Sequence, residues 1–359
     1  MKGQKIYLLD MATQQLTQMS LPNEKPDDFY VSPNRTLLAI HNIIFDDNGD
    51  IINKELVIAD ANGQRLKSIP WEENWRSLEG WKDDQHVLLD VDFDRNNYSL
   101  LEVDPFNNEQ QRIELYNIAP GWDQYIRTHA PTGMWPGFAS LHLDPTYTMS
   151  LYPQDIEGDP THYTYRLWNI AEQRLVLSLE SIVKMDGFFY YYPLPAWSPD
   201  NSQFALGGIE WYLDEDFKSE LFVITKDGQV KQMTNLANFD YEIIATHPSW
   251  SPDGRYIAFY LVPDGVGTSR LAVLDTETLE LIDYCIPLDR LSVSIPNPPA
   301  PLWSPDSKQL LLVDRYGAKN SVIWVRPEQG LSAQVAENID VVEWFSVGGM
   351  WGWMASPEE

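Results

Sequence analysis

The chain has a single cysteine, Cys285, among its 359 residues. An internal disulfide is therefore excluded, and Cys285 reads as a small buried apolar residue. Basic residues are also scarce: 25 Lys and Arg stand against 53 Asp and Glu, a formal net charge of −28. Nucleic acid and anionic membrane both need basic patches, so both are excluded as expected partners; cationic groups and metal ions would be attracted instead. The same acidic surface opposes self-association, and a monomer is expected. No run is long and apolar enough to span a bilayer, so no membrane insertion is expected. No Gly-x-Ser-x-Gly elbow is present. Gly265-Val266-Gly267 falls in a hairpin loop and not between a strand and a helix, which removes a dinucleotide reading. No charged-then-apolar leader precedes Ile6, and Asp10 interrupts the run that follows. The expected compartment is thus the cytoplasm; a chain trimmed of a leader would begin the same way and belong to the periplasm or outside the cell.

What the chain does have is a repeat. Trp197-Ser198-Pro199-Asp200, Trp250-Ser251-Pro252-Asp253 and Trp303-Ser304-Pro305-Asp306 stand 53 residues apart (197 to 250, 250 to 303). A fixed period of this size marks repeated supersecondary units. Ser-Pro-Asp-Gly fits a type I turn: Ser can bond the backbone ahead, Pro pre-sets φ, and Gly is favoured at the fourth place. Gly254 completes the pattern, while Asn201 and Ser307 replace it elsewhere. Apolar runs such as Phe204-Ala205-Leu206 and Ile257-Ala258-Phe259 follow the turns, so each copy reads as a β-hairpin with a Trp as packing anchor. Weaker copies begin at Val31-Ser32-Pro33-Asn34, Trp81-Lys82-Asp83-Asp84 and Leu143-Asp144-Pro145-Thr146, and a degenerate one at Trp344.

A second set of strands interleaves with the hairpins, among them Leu56–Asp60, Leu221–Thr225 and Leu271–Asp275, each followed by a polar turn and another strand. Four strands, A to D, make one propeller blade. The expected fold is all-β, a seven-bladed β-propeller forming one domain over residues 1–359. Its blades lie near 31–68, 81–115, 139–180, 194–235, 247–285 and 300–336. The seventh joins an N-terminal outer pair, 5–18, to a C-terminal inner pair, 341–354, and so closes the ring and covers its edges. The 43% hydrophobic content suffices for the core, and 14 Trp and 18 Tyr suit strands.

The Trp-Ser-Pro-Asp-Gly turn followed by Ile-Ala-Phe resembles the TolB-type, WD40-like (PD40) propeller repeat, across nearly the whole chain. The resemblance implies a propeller that binds a protein partner. TolB carries an α/β domain before a six-bladed propeller, whereas this chain begins in a strand and counts to seven. Similar propellers gate the prolyl-oligopeptidase peptidases, which need an attached α/β-hydrolase domain.

Candidate sites follow from the loops, because variable loops on a rigid scaffold carry binding. In a propeller the B–C and D–A connections share one face. Here the B–C loops are acidic, as at Asp46–Asp50 and Asp214-Glu215-Asp216, and the D–A loops are aromatic, with Trp71 and Trp75 in the first. The candidate ligand-binding residues are Trp122, Asp123, Tyr125, Trp135, Asp186, Tyr190, Tyr192, Phe239, Asp240 and Tyr241. Such a face suits a sugar, a peptide or a cationic group; the rival reading has the aromatics plugging inter-blade seams and the acids solvating loops. No cofactor is expected, with calcium at Asp90, Asp92, Asp94 and Asn96 as the alternative. Against it, Arg95 stands where a calcium loop needs Gly, and Leu101 where it needs Glu. The six His (41, 86, 129, 142, 162 and 247) are scattered without ligand spacing, although separate blades can still assemble them.

Two functions remain open. One is a non-catalytic scaffold binding a protein or carbohydrate partner, favoured by the absence of a compact catalytic motif. The other is a propeller enzyme, a metal-assisted lyase or a glycoside-acting hydrolase, with residues gathered from several blades.

Overall fold

The structure is a computed structural model that describes residues 6–10, 15–19, 24–94, 97–121, 141–186, 195–210, 218–236, 243–263, 269–288, 300–316 and 319–339. Among these no α-helix appears; Pro327–Gln329 forms a short 3-10 turn. The chain divides into two compact units, Met1–Tyr116 with Asp340–Glu359, and Asn117–Ile339.

In the first unit β1 (Tyr7–Asp10) and β2 (Gln15–Gln18) form a two-stranded sheet. One four-stranded antiparallel blade follows in β3 (Glu24–Val31), β4 (Leu37–Phe45), β5 (Ile51–Asp60) and β6 (Arg65–Pro70). The next is β7 (Ser77–Trp81), β8 (Val87–Asp94), β9 (Asn97–Asp104) and β10 (Glu109–Tyr116). In the second unit the third blade is β11 (His142–Leu143), β12 (Met149–Ile156), β13 (Asp159–Asn169) and β14 (Arg174–Ser178), followed by a lone strand, β15 (Val183–Asp186). The fourth is β16 (Ala196–Trp197), β17 (Gln203–Glu210), β18 (Lys218–Thr225) and β19 (Val230–Gln232). The fifth is β20 (Ile243–Trp250), β21 (Tyr256–Pro263), β22 (Ser269–Asp275) and β23 (Leu281–Leu288). The sixth is β24 (Leu302–Trp303), β25 (Leu310–Tyr316), β26 (Lys319–Arg326) and β27 (Leu331–Ile339). Strand β15 pairs antiparallel with β13 and parallel with β17, joining the third and fourth blades into one nine-stranded sheet.

This is the β-propeller fold; among the described residues it has six blades and not the seven expected. The expected seventh blade joins 5–18 to 341–354; among the described residues β1 and β2 pair only with each other, and 341–354 lies outside the described residues. The miscount has a physical source. No Ser-Pro-Asp turn follows Trp344, so neither φ nor the cap of a tight turn is specified there.

The turns behave as their sequence dictates. Ser251 Oγ donates to Asp253 Oδ1 at 2.6 Å and accepts the Tyr256 amide at 2.8 Å. The Gly254 amide closes the turn on the Ser251 carbonyl, at φ +74°. The equivalent fourth positions, Arg35, Tyr147, Asn201 and Ser307, all have φ between 56° and 65°. The Trp anchors link neighbouring blades. The indole Nε1 donates to a backbone carbonyl one blade back: Trp81 to Tyr30 (2.9 Å), Trp250 to Ala196 (2.8 Å) and Trp303 to Ser249 (3.1 Å). Between them lie apolar clusters, such as Ala39, Leu56, Ile58, Trp75, Leu78 and Leu89 in the first unit. Ala205, Leu221, Trp250, Ile257 and Phe259 form one in the second. Each fully buried Leu or Ile contributes roughly 1.5–3 kcal/mol.

In the third blade Asp144 replaces the turn serine and is fully buried. Its carboxylate accepts the amides of Thr148 and Met149, each at 2.6 Å. The fourth blade sends Lys226 Nζ (2.6 Å) and Asn201 Nδ2 (2.9 Å) to it. Burial pushes this carboxyl up, but Lys226, Thr146, the Met149 amide and Asn201 outweigh burial and hold it at about 2.

Candidate functional site

The hairpin β3–β4 carries an irregularity that places three chemical groups together. Val31 pairs with Leu38 and Asp28 with His41, but Pro26 then pairs with Asn42, leaving Asp27 as an extra residue on β3. In a regular strand Asp27 and Asp28 would point to opposite faces. A bulge inserts one residue and re-aims side chains, so both carboxylates can address one partner residue. One donor atom each from Asp27, Asp28 and His41 lie within 4.8 Å of one another.

His41 is buried, at 3% exposure. Trp71, from the connection between the first two blades, stacks on its ring at 3.8 Å and 18°. Trp71 is itself fixed: its amide bonds the Lys54 carbonyl at 2.9 Å, and its Nε1 donates to the Trp75 carbonyl at 2.7 Å. Trp75 packs edge-on at 5.5 Å and is a core residue. The site thus lies at the end of the first blade from which the 46–50 turn and the 71–76 connection leave. Asp46 caps that turn by accepting the amides of Asn48 and Asp50.

The electrostatics of the cluster are unbalanced. Asp27 Oδ2 stands 3.4 Å from His41 Nδ1, and His41 holds the Asp27 carboxyl below its ordinary range against the opposing effect of burial. Asp28 moves the other way: burial, then the negative charge of Asp27, raise it to about 6. Glu79, on β7, is raised by burial, although it accepts hydrogen bonds from Ser77 (2.7 Å) and Tyr98. Glu79 is also an extra residue in its strand pair, between the Leu78↔Leu89 and Gly80↔Leu88 pairs.

Other polar clusters are internally satisfied. Asp83, His86 and Glu102 also approach one another. There, however, Lys82 Nζ sits 2.5 Å from Glu102, and Asp83 accepts the amides of Gln85 and His86 as the cap of its turn. His162 contacts Asp159 at 2.7 Å, with Lys184 at 3.6 Å from the same carboxylate. His142 is buried, and burial pushes it down to about 4, so it is neutral. A cleft of about 20 Å³ beside Ile6, Met19 and Glu24 has room for about one water, and Arg65 pairs with both Glu24 and Glu55 at its edge.

Of the ten expected ligand-binding residues, Trp122, Asp123, Tyr125, Trp135, Tyr190, Tyr192, Phe239, Asp240 and Tyr241 lie outside the described residues, as does His129. Asp186 ends β15, paired with His162. Of the calcium alternative, Asp90 is buried on β8 opposite Ser77, Asp92 and Asp94 continue the same strand, and Asn96 lies outside the described residues. Asp27, Asp28 and Glu79 were not singled out from sequence, and His41 appeared only among scattered histidines. One signal was present: counting three residues out from Val31 and Leu38 across the turn puts Asp28 opposite His41.

No protein-family model matches the chain, and no curated protein matches it. Solved structures do. An oligogalacturonate lyase in complex with manganese superposes with a TM-score of 0.55 at 15% identity, covering 93% of this chain and 86% of that one. The oligogalacturonate lyase of Vibrio parahaemolyticus gives 0.52 at 14% identity over 93% and 86%. TolB from Acinetobacter baumannii gives 0.43 at 12% identity over 85% and 77%. At such identities the likeness is one of fold.

Proposed function

We propose that this chain is a binding propeller, a non-catalytic scaffold that takes a protein or carbohydrate partner on the face where its B–C turns and D–A connections emerge. One observation carries the reading: Trp71 stacked over His41 beside Asp27, Asp28 and Glu79, at that end of the first blade. An indole face beside carboxylates suits the apolar face of a sugar ring together with its hydroxyls, or a basic side chain. In this reading the connections 122–135, 186–192 and 239–241 supply the corresponding contacts of the other blades. The test is calorimetric titration with neutral and acidic oligosaccharides and with basic peptides. Trp71→Ala should weaken binding about tenfold, close to 1.4 kcal/mol, while Trp71→Phe keeps most of it. Alanine at Trp122, Tyr190 or Tyr241 should weaken it as well. Basic peptides should lose affinity with added salt, because exposed pairs are screened within about 10 Å at 0.1 M. Undiminished binding by every one of these variants would refute the reading.

A second reading, a propeller enzyme such as a metal-assisted lyase or a glycoside-acting hydrolase, draws on one feature of the same site. A carboxyl raised to about 6 opposite a histidine is the pairing that general acid–base chemistry uses. Turnover of a pectic or neutral oligosaccharide that Asp28→Asn abolishes would favour it.

A further inference from the structure

We propose that Asp27, Asp28 and His41 form a binding site for a divalent transition-metal cation of the Mn(II) or Zn(II) class. The site shares its place with the partner reading but does not depend on it, since it is tested with the metal alone. Three observations meet here. The donor atoms come from one hairpin and lie within 4.8 Å of one another. An ion bound at about 2.1 Å would need them roughly 3–3.5 Å apart, a small closure that the exposed Asp27 can supply. His41 is buried, at 3% exposure, yet among the described residues its Nε2 has no hydrogen-bond partner and its Nδ1 makes no well-aligned hydrogen bond, meeting only the Asp27 carboxylate at 3.4 Å. A buried imidazole so poorly satisfied is costly, and a metal ion at the nitrogen that faces the carboxylates would satisfy that atom.

Charge and geometry select the class of ion. Two carboxylates bring two negative charges to a partly buried position, and a divalent cation cancels both. One imidazole among the donors favours the transition metals, whereas calcium takes 6–8 oxygen ligands, more than this set provides. Three protein ligands leave coordination positions for water or for a donor from outside. The Trp71 ring stacked on His41 fixes the plane of the imidazole, as the surroundings of a metal-binding histidine commonly do. The bulge at Asp27 acquires a purpose, since without it the two carboxylates would diverge. The Asp83–His86–Glu102 cluster lacks this character, because Lys82 and the turn amides already occupy its carboxylates.

The experiment uses the full chain after dialysis against chelator, titrated with Mn(II), Zn(II) and Ca(II) by calorimetry, with Mn(II) followed also by loss of the free-ion electron paramagnetic resonance signal. One saturable site is expected, with Mn(II) or Zn(II) preferred over Ca(II), and the metal should raise the melting temperature. Asp27→Asn, at an exposed position, should keep the fold and weaken Mn(II) at least about tenfold, and Asp28→Asn should do the same. His41→Asn is read only through variants whose circular dichroism matches the parent. Asp83→Asn should change nothing. The proposal is overturned by the absence of a saturable site, by undiminished binding in both Asp27→Asn and Asp28→Asn, or by equal loss in Asp83→Asn. A chain that takes the metal but neither oligosaccharide nor peptide leaves this site standing and removes the partner reading.

Discussion

Asp144→Asn separates the charge at the third turn from its shape. The carboxylate is fully buried, receives two backbone amides and joins the third blade to the fourth through Lys226 and Asn201. Its carboxyl stands at about 2 in the folded chain against 3.8 ordinarily. A depressed acid stabilises the fold in full above the unfolded value, and loses that contribution as pH falls through the folded one. At about 1.36 kcal/mol per unit, the nearly two units are worth about 2 kcal/mol. Asparagine keeps the volume but leaves Lys226, which is only 26% exposed, without its counter-charge, so the total cost near neutral pH should reach about 2–4 kcal/mol. Urea unfolding of both proteins, followed by tryptophan fluorescence between pH 7 and pH 2.5, measures the difference directly. That difference should be flat above about pH 5 and shrink by about 2 kcal/mol as pH falls towards 2. A constant difference across the whole range would show that the hydrogen bonds matter and the charge does not.

Four further outcomes follow from the same structure. Trp303→Phe removes the donor to the Ser249 carbonyl and should lower stability by about 1–2 kcal/mol in the same urea assay. Gly254→Ala meets no atom within 4 Å, so its cost should be only the roughly 1–2 kcal/mol of a left-handed backbone, larger than the effect of Pro252→Ala at about 0.4–1 kcal/mol. Gly207→Ala should by contrast abolish folding, since its Cβ would stand 2.1 Å from the Ala245 carbonyl oxygen; normal expression and melting would refute that packing. His142 is held at about 4 by burial, so the fold should lose stability as pH falls from 6.5 towards 4, and His142→Gln should flatten that part of the profile.

The local units of the fold were legible because each is specified within a few residues. Ser251-Pro252-Asp253-Gly254 determines a turn by φ and by one hydroxyl, and the runs on either side are too apolar to be anything but paired strands. The Trp anchors could be placed between blades from their period alone. The number of blades was less secure, because it depends on what pairs across long separations, and Trp344 offers no turn to settle it. The site was harder still. Asp28 opposite His41 follows from hairpin register, but a bulge has no sequence signature, and it is the bulge that brings Asp27 to the same imidazole. Trp71 and Trp75 were both visible as aromatics of one connection; that Trp75 belongs to the core and Trp71 to the site depends on tertiary packing.

The indole-to-carbonyl bonds at Trp81, Trp250 and Trp303 give the repeat a direction. Each donor sits in the later blade and each acceptor in the earlier one. An earlier blade without its successor leaves a carbonyl that water can satisfy. A later blade without its predecessor leaves its indole N–H without that carbonyl and exposes the apolar ring that packs beside it. During synthesis the chain emerges from its N-terminus, and domains begin to fold as they appear. Each of these tryptophans therefore meets an acceptor that is already in place, so successive blades can dock onto a growing template without waiting for the rest of the chain.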